Sequence, residues 1–177
     1  MNYLNKVHSS SSKRDLASNP NQLHKNVNEL SSLKSLTLNF SEIKSKKAGA
    51  SGLAFINLLA NKKGRMSFKG RRESTEKNIG CALKLSKGES LVFIDRFINC
   101  DLVSFLNSES STLGSNFSEV GNFSFYIKDV FTFLDLGDSL FRFRDLENLN
   151  VSIVFSRKVG YGNSKLLRSL GFIFQKQ

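Results

Sequence analysis

Ile79-Gly80-Cys81-Ala82-Leu83-Lys84-Leu85-Ser86 decides how this chain is read. Ile79, Cys81, Leu83 and Leu85 alternate with Ala82, Lys84 and Ser86, the period-two pattern of a strand with one buried and one open face. Residues 89–102 then change period. Leu91, Ile94, Phe97-Ile98 and Leu102 make a helical stripe, and Asp95, Arg96 and Asn99 lie towards the opposite side. A half-buried strand feeding an amphipathic helix predicts a sheet covered by helices on one side.

Upstream, Leu33, Leu36, Leu38 and Phe40 give a short strand signal whose alternation is imperfect. Residues 41–60 read as a helix, with Leu53, Ile56 and Leu59-Ala60 on one face, Lys44, Lys46 and Lys47 leading in, and Gly49 and Gly52 weakening the first turns. Residues 65–69 read as a short strand and 70–78 as a charged loop. Downstream, 107–116 is a Ser-rich loop. Phe123, Phe125 and Ile127 alternate, as do Leu149, Val151, Ile153 and Phe155. Gly160 and Gly162 mark a turn, after which Asn163 caps a last helix over 165–170. The order helix, strand, helix, strand, strand, helix, strands, helix, with hairpin-like spacing, predicts an α+β fold: a mainly antiparallel sheet with helices packed on one face.

Charge is distributed unevenly along this frame. Through Gly88 there are 17 Lys+Arg against 5 Asp+Glu, a net of +12; from Glu89 onward there are 9 against 10, a net of −1. The densest stretch, Lys62-Lys63-Gly64-Arg65-Met66-Ser67-Phe68-Lys69-Gly70-Arg71-Arg72, has six bases and no acid. Such a concentration calls for a polyanion, or it weakens the compact state by self-repulsion. RNA, DNA and an anionic membrane surface are the candidates. No stretch approaches the ~20 apolar residues of a membrane span.

At 177 residues the chain is long enough to bury about 70% of its unfolded surface in one domain. Residues 1–22 are polar and basic, with Ser9-Ser10-Ser11-Ser12, and read as an arm that orders on a partner; a transit peptide is the rival reading. Residues 23–177 form the single domain. Cys81 and Cys100 lie in apolar runs and read as small core residues in a reducing compartment. His8 and His24 sit in the polar N-terminal segment and read as surface residues. Phe 16, one Pro and no Trp, with many Asn, Lys and Ser, reflects AT-rich coding and suggests an organelle or parasite genome.

No catalytic constellation, metal set or cofactor motif emerges. Gly160-Tyr161-Gly162-Asn163-Ser164-Lys165 lacks the spacing and the ending of a phosphate loop. Asp135 and Asp138 are spaced like paired acids but read as solvated surface. Phe141-Arg142-Phe143-Arg144 interleaves aromatic and basic residues as single-stranded nucleic-acid platforms do. The stronger reading is a strand that buries Phe141 and Phe143 on one face and leaves the arginines to solvent or to Asp138 and Asp145.

Several segments resemble the bacterial-type ribosomal protein L-five family of the large subunit. Ile79-Gly80-Cys81-Ala82-Leu83-Lys84-Leu85, followed by Phe93-Ile94-Asp95-Arg96-Phe97-Ile98-Asn99, is similar to the family's strand and its Phe-Leu-Asp-Arg-Leu helix. Lys25-Asn26-Val27 leading to Leu33-Lys34-Ser35-Leu36-Thr37-Leu38-Asn39 resembles its first strand with the terminal asparagine. Phe117-Ser118-Glu119-Val120-Gly121-Asn122-Phe123-Ser124-Phe125 resembles Phe-Asp-x-x-Gly-Asn-Tyr-Ser, and Leu166-Leu167-Arg168-Ser169-Leu170-Gly171-Phe172-Ile173-Phe174 resembles the C-terminal helix and its Gly-x-Pro-Phe ending. The four stretches keep their order and spacing over about residues 25–174.

The resemblance implies a non-enzymatic structural constituent of the large ribosomal subunit. Its partners would be 5S rRNA or other large-subunit rRNA in the central protuberance, P-site tRNA, neighbouring protuberance proteins and a small-subunit head protein across an intersubunit bridge, with no membrane and no cofactor. The rRNA positions would be Asn39, Lys62, Lys63, Arg65, Lys84, Ser86 and Lys87. Lys69, Arg71, Arg72 and Lys77 would belong to the tRNA-contacting loop, and residues 104–116 and 134–145 to the bridging side. Two departures stand out: Gly-Gln-Lys-Pro is Asn61-Lys62-Lys63-Gly64, and Thr-Leu-Arg-Gly is Lys84-Leu85-Ser86-Lys87. With the AT-rich coding, this drift points to a mitochondrial version more than a plastid one. The alternative is a basic nucleic-acid-processing enzyme or maturase fragment, which would need metal-binding acids that the basic half barely supplies. A peripheral membrane protein would instead carry its bases along one amphipathic helix.

Overall fold

The computed structural model describes residues 31–43, 46–69, 78–107, 118, 121–157 and 160–172. The N-terminal arm, both histidines, the helix that the predicted order puts ahead of the first strand, and most of the charged and Ser-rich loops lie outside the described residues.

Five antiparallel strands form one sheet in the order β2-β3-β1-β5-β4: β1 (Leu33–Ile43), β2 (Arg65–Lys69), β3 (Asn78–Leu85), β4 (Phe123–Asp129) and β5 (Glu147–Phe155). The α+β reading with a mainly antiparallel sheet holds. Leu36, Leu38 and Phe40 of β1 share the buried face with Cys81, Leu83 and Leu85 of β3, and with Leu149, Val151 and Ile153 of β5 and Phe123, Phe125 and Ile127 of β4. The imperfect alternation at the start of β1 has a local cause. The register shifts between Leu33 and Ser35, so Lys34 is bulged out and exposed while Leu33 and Leu36 both reach the core.

Helix α1 (Lys46–Ala60) begins later than the pattern predicted, because β1 continues to Ile43. Its buried arc is Gly52, Phe55, Ile56 and Leu59, with Leu53 only partly buried. The glycines that lower its intrinsic propensity bring it close to the sheet. A Cβ on Gly52 would lie 3.3 Å from both Cys81 Sγ and Ile43 Cδ1, and the Cys81 thiol donates to the Gly49 carbonyl at 3.1 Å. Burial also pushes that thiol's pKa up.

Helix α2 (Lys87–Arg96) runs into five π-helical residues, Phe97–Asp101, and then α3 (Leu102–Asn107). The Leu102 N–H donates to the Phe97 carbonyl, one residue further back than in an α-helix. The inserted residue brings Phe97 and Leu102 onto the same buried side, and it turns Cys100 outward. Cys100 is therefore exposed, against expectation; only Cys81 is a core residue. Phe97 centres an aromatic cluster, with ring centroids 5.7–6.4 Å from Phe93, Phe105, Phe125, Phe133 and Phe172. Arg96 does not face solvent as the stripe suggested. Its guanidinium donates to the Leu59 carbonyl and joins α2 to the end of α1.

After β4, residues Val130–Thr132 and Leu134–Phe143 form 3-10 turns in place of the predicted Phe141–Arg144 strand. With three residues per turn, Phe141 and Phe143 part company: Phe143 is buried against Phe55, and Phe141 is 71% exposed.

The last helix, α4 (Gly160–Ser169), starts earlier than predicted and contains Gly160, Gly162 and Asn163. Asn163 is a buried clamp, not a cap. Its Nδ2 donates to the carbonyls of Gly121 (2.7 Å) and Arg157 (3.1 Å), and its Oδ1 accepts from the Ser31 hydroxyl. The helix ends in a Schellman motif. Gly171, at φ 105°, sends its N–H to the Arg168 carbonyl, Phe172 sends its own to Leu167, and the Phe172 ring enters the core.

Candidate nucleic-acid interface

The side of the sheet away from the helices carries three of the predicted rRNA positions, Asn39, Arg65 and Lys84. Pairing defines a transverse row: Arg65 opposite Ala82, Ala82 opposite Asn39, Asn39 opposite Asn150, and Asn150 opposite Tyr126. Beside it runs a second row, Lys84, Thr37, Ser152 and Ser124. Paired residues project to the same side, so these positions share one face. Strands about 4.8 Å apart make that face roughly 19 Å wide from Arg65 to Tyr126.

No carboxylate belongs to either row. Arg65, Lys84 and, further along β4, Lys128 are exposed, and none pairs with an acid among the described residues. The polar groups between them are short. The remaining surface suits phosphate and ribose hydroxyls, the groups through which structured RNA is bound.

The turn at one corner of this face is built by α1. Asn61 takes φ 49° just past the helix end, a position where asparagine tolerates the left-handed region. The Lys62 N–H donates to the Asn57 carbonyl at 3.3 Å, and the Gly64 N–H donates to Asn57 Oδ1 at 2.6 Å. Lys63 is left exposed between that turn and Arg65.

Lys62 and Ser86, both predicted to face rRNA, meet a local partner that spacing alone does not show. Lys62 Nζ lies 2.9 and 2.8 Å from the two carboxylate oxygens of Glu89. The Ser86 N–H and hydroxyl both donate to Glu89 Oε2 at 2.7 Å, closing the N-terminal box of α2. The basic stretch thus takes its counter-charge from 27 residues away. Lys87 differs: it is exposed in the first turn of α2, where a cation opposes the helix dipole. A residue unfavourable for its own helix is better placed to meet an external anion.

The Lys62 ammonium, followed by the Ser86 donors, holds the Glu89 carboxyl at about 2, against an ordinary value of 4.5. A depressed carboxyl stabilises the fold fully above its unfolded value, and that contribution is lost as pH falls from about 4.5 to about 2. Glu89→Gln is therefore expected to flatten this part of the stability–pH curve, measured by denaturant titration. The same substitution frees Lys62. If Lys62 reaches phosphate, the salt slope of RNA binding steepens by about 0.7–0.9; an unchanged slope would show that it does not.

Of the predicted tRNA-loop residues, Lys69 closes β2 and Arg71, Arg72 and Lys77 lie outside the described residues. Sequence reasoning missed Asn150, Ser152, Ser124, Tyr126 and Lys128. Their signal lay in the open half of the β4 and β5 alternation, which becomes part of the site only once β5 pairs with β1.

On the helix side, Phe141, Arg142 and Arg144 line a groove of about 470 Å³ with Lys47, Ala48 and Ser51. Arg144 lies 3.7 Å from Asp145 with both side chains exposed, a pair worth little in water. The Phe141 ring meets Phe131 edge-on at 6.0 Å, and together they expose apolar surface. Asp138 is exposed, and among the described residues no three His, Cys, Asp or Glu side chains gather. No described helix is long and apolar enough to cross a membrane.

Comparison with models of known protein families and with curated protein sequences gave no match.

Proposed function

We propose that this chain is a structural, RNA-binding subunit of a large ribosomal subunit of the mitochondrial kind, seated on its rRNA through the open face of the sheet. The observation that carries the reading is that neither described row of the face holds a carboxylate, with Arg65 and Lys84 flanking a field of Asn39, Thr37, Asn150 and Ser152. A face of that polarity has no protein layer to cover it among the described residues, and a polyanion satisfies its charge.

Under this reading Asn39, Arg65, Lys84, Lys63 and Lys87 anchor 5S rRNA or the equivalent rRNA of the central protuberance. Lys69, Arg71, Arg72 and Lys77 reach the P-site tRNA. The Phe131–Phe141 surface on the helix side, with Val103 exposed at the end of α2–α3, supplies an apolar contact for the small-subunit head protein. Apolar patches of this kind mark protein contacts, whereas the sheet face does not have one.

The test is sedimentation of the tagged chain from mitochondrial lysate at low and high salt. Co-migration with the large subunit that survives washing is expected. Recovery only as free protein or with membranes would overturn the proposal.

A further inference from the structure

Tyr126 stands apart on the open face. It is the one aromatic side chain among the described positions there, and it is 55% exposed at the end of the row that begins with Arg65. The described residues beside it on this face are polar. Ser124 and Lys128 flank it along β4, and Asn150 lies directly opposite on β5. Directly opposed side chains sit about 4.5–5.5 Å apart, so the Asn150 amide is beside the tyrosine ring. Its oxygen accepts from Ser152 at 3.4 Å, while its NH2 has no acceptor among the described residues; neither has the Tyr126 hydroxyl a partner there.

We infer that Tyr126 is a stacking platform for one unpaired RNA base, with Asn150 placed to donate to the edge of that base and Lys128 to meet its phosphate. This rests on the RNA reading above and extends it: the ligand is not a continuous duplex but RNA with an unpaired nucleotide at the β4 edge. An aromatic ring in a protein contact is ringed by apolar neighbours that exclude water. Here the neighbours are a serine, an asparagine and a lysine. The nearest cations on the face have no acids beside them in the described rows, which fits a phosphate chain, and the polar neighbours oppose an apolar peptide. A base inside a duplex hides both its faces in the stack, so only an unpaired one can lie on the ring.

The experiment uses the full chain with two RNAs: a hairpin with an unpaired loop, and the same stem closed as a blunt duplex. Affinity is read by fluorescence anisotropy across a salt series. Tyr126→Ala is expected to weaken hairpin binding by about 5- to 150-fold, with the salt slope and the duplex affinity unchanged. Tyr126→Phe keeps the ring and is expected to bind as the parent does, while Tyr126→Leu, apolar but not aromatic, is expected to behave like the alanine variant. Tyr126 is exposed, so all three variants are expected to keep the parent's melting profile. If the parent binds hairpin RNA with a clear salt slope but Tyr126→Ala binds it equally well, the stacking inference falls and the function stands. Equal losses on hairpin and duplex would also overturn it. If the parent binds neither RNA, both readings fall together.

Discussion

Phe97→Ala is expected to destabilise the protein by about 3–5 kcal/mol, enough to unfold a large fraction of a domain whose whole stability is about 5–15 kcal/mol. Phe97 is 2% exposed and touches rings from α2, α3, β4, the link between the two 3-10 segments and the chain after α4. Truncation removes the transfer free energy of a phenyl group and leaves a cavity. Its walls belong to separate elements fixed by their own hydrogen bonds, so they cannot collapse to fill it. Phe141→Ala removes the same atoms from a side chain that is 71% exposed and is expected to change stability by no more than about 0.5 kcal/mol. Denaturant titration of both variants checks the pair. A loss below about 1 kcal/mol for Phe97→Ala, or equal losses for the two, would show that the aromatic cluster is not the centre of the core.

The contrast between those two phenylalanines also marks how far the sequence could be read. Leu36, Leu38, Cys81, Leu83 and Leu85 were legible because a strand's period of two survives whatever it pairs with. The stripe Leu91, Ile94, Phe97-Ile98 and Leu102 was legible too, but Ile98, four residues before Leu102 and only half-buried, hid the step of five between the buried Phe97 and Leu102. That step is the π-helical insertion; Cys100 reads as a core residue only because its neighbours in sequence are apolar, and it is exposed. Phe141 failed for a different reason. A two-residue spacing looks like a strand, but the turn is 3-10, and which of two phenylalanines is buried depends on Phe55 of α1. Asn163 has the composition of a cap, but its partners, Gly121 and Ser31, are 42 and 132 residues away.

The site divides in the same way. Local charge density pointed to Lys62, Lys63 and Arg65, and the family resemblance to Lys84; the sheet brings Arg65 and Lys84 onto one face. Lys62 could not be judged from its neighbours, since Glu89 reaches it through the contact between the end of α1 and the start of α2. Asn150 and Tyr126 carry no charge and stand in the near-neutral half of the chain. They join the face only because β5 pairs with β1, placing the second half of the chain beside the first. The separation of a basic half from a scaffold half is therefore true of the sequence and not of the surface.

Replacing Lys63, Arg65 and Lys84 together by glutamine is expected to lower affinity for cognate rRNA by about 100-fold at roughly 0.15 M salt. Each phosphate contact carries about 0.7–0.9 of the slope of log K against log salt, so the slope should become shallower by roughly 2–3. All three side chains are exposed and none is paired with an acid among the described residues, so the fold has little to lose from their removal. Lys62 is left in place because its charge is already engaged by Glu89. The control removes the same charge elsewhere: Lys47, Arg142 and Arg144 to glutamine, in the groove on the helix side. Both variants lower net charge by three, and a general attraction between a basic protein and a polyanion would weaken equally in each. Direct contact would not, because charges further away than about 8 Å are largely screened at that ionic strength. A loss and a slope change confined to the sheet-face variant would locate the RNA on the open face. Equal losses in both would leave net charge as the whole of the attraction and remove the face from the argument.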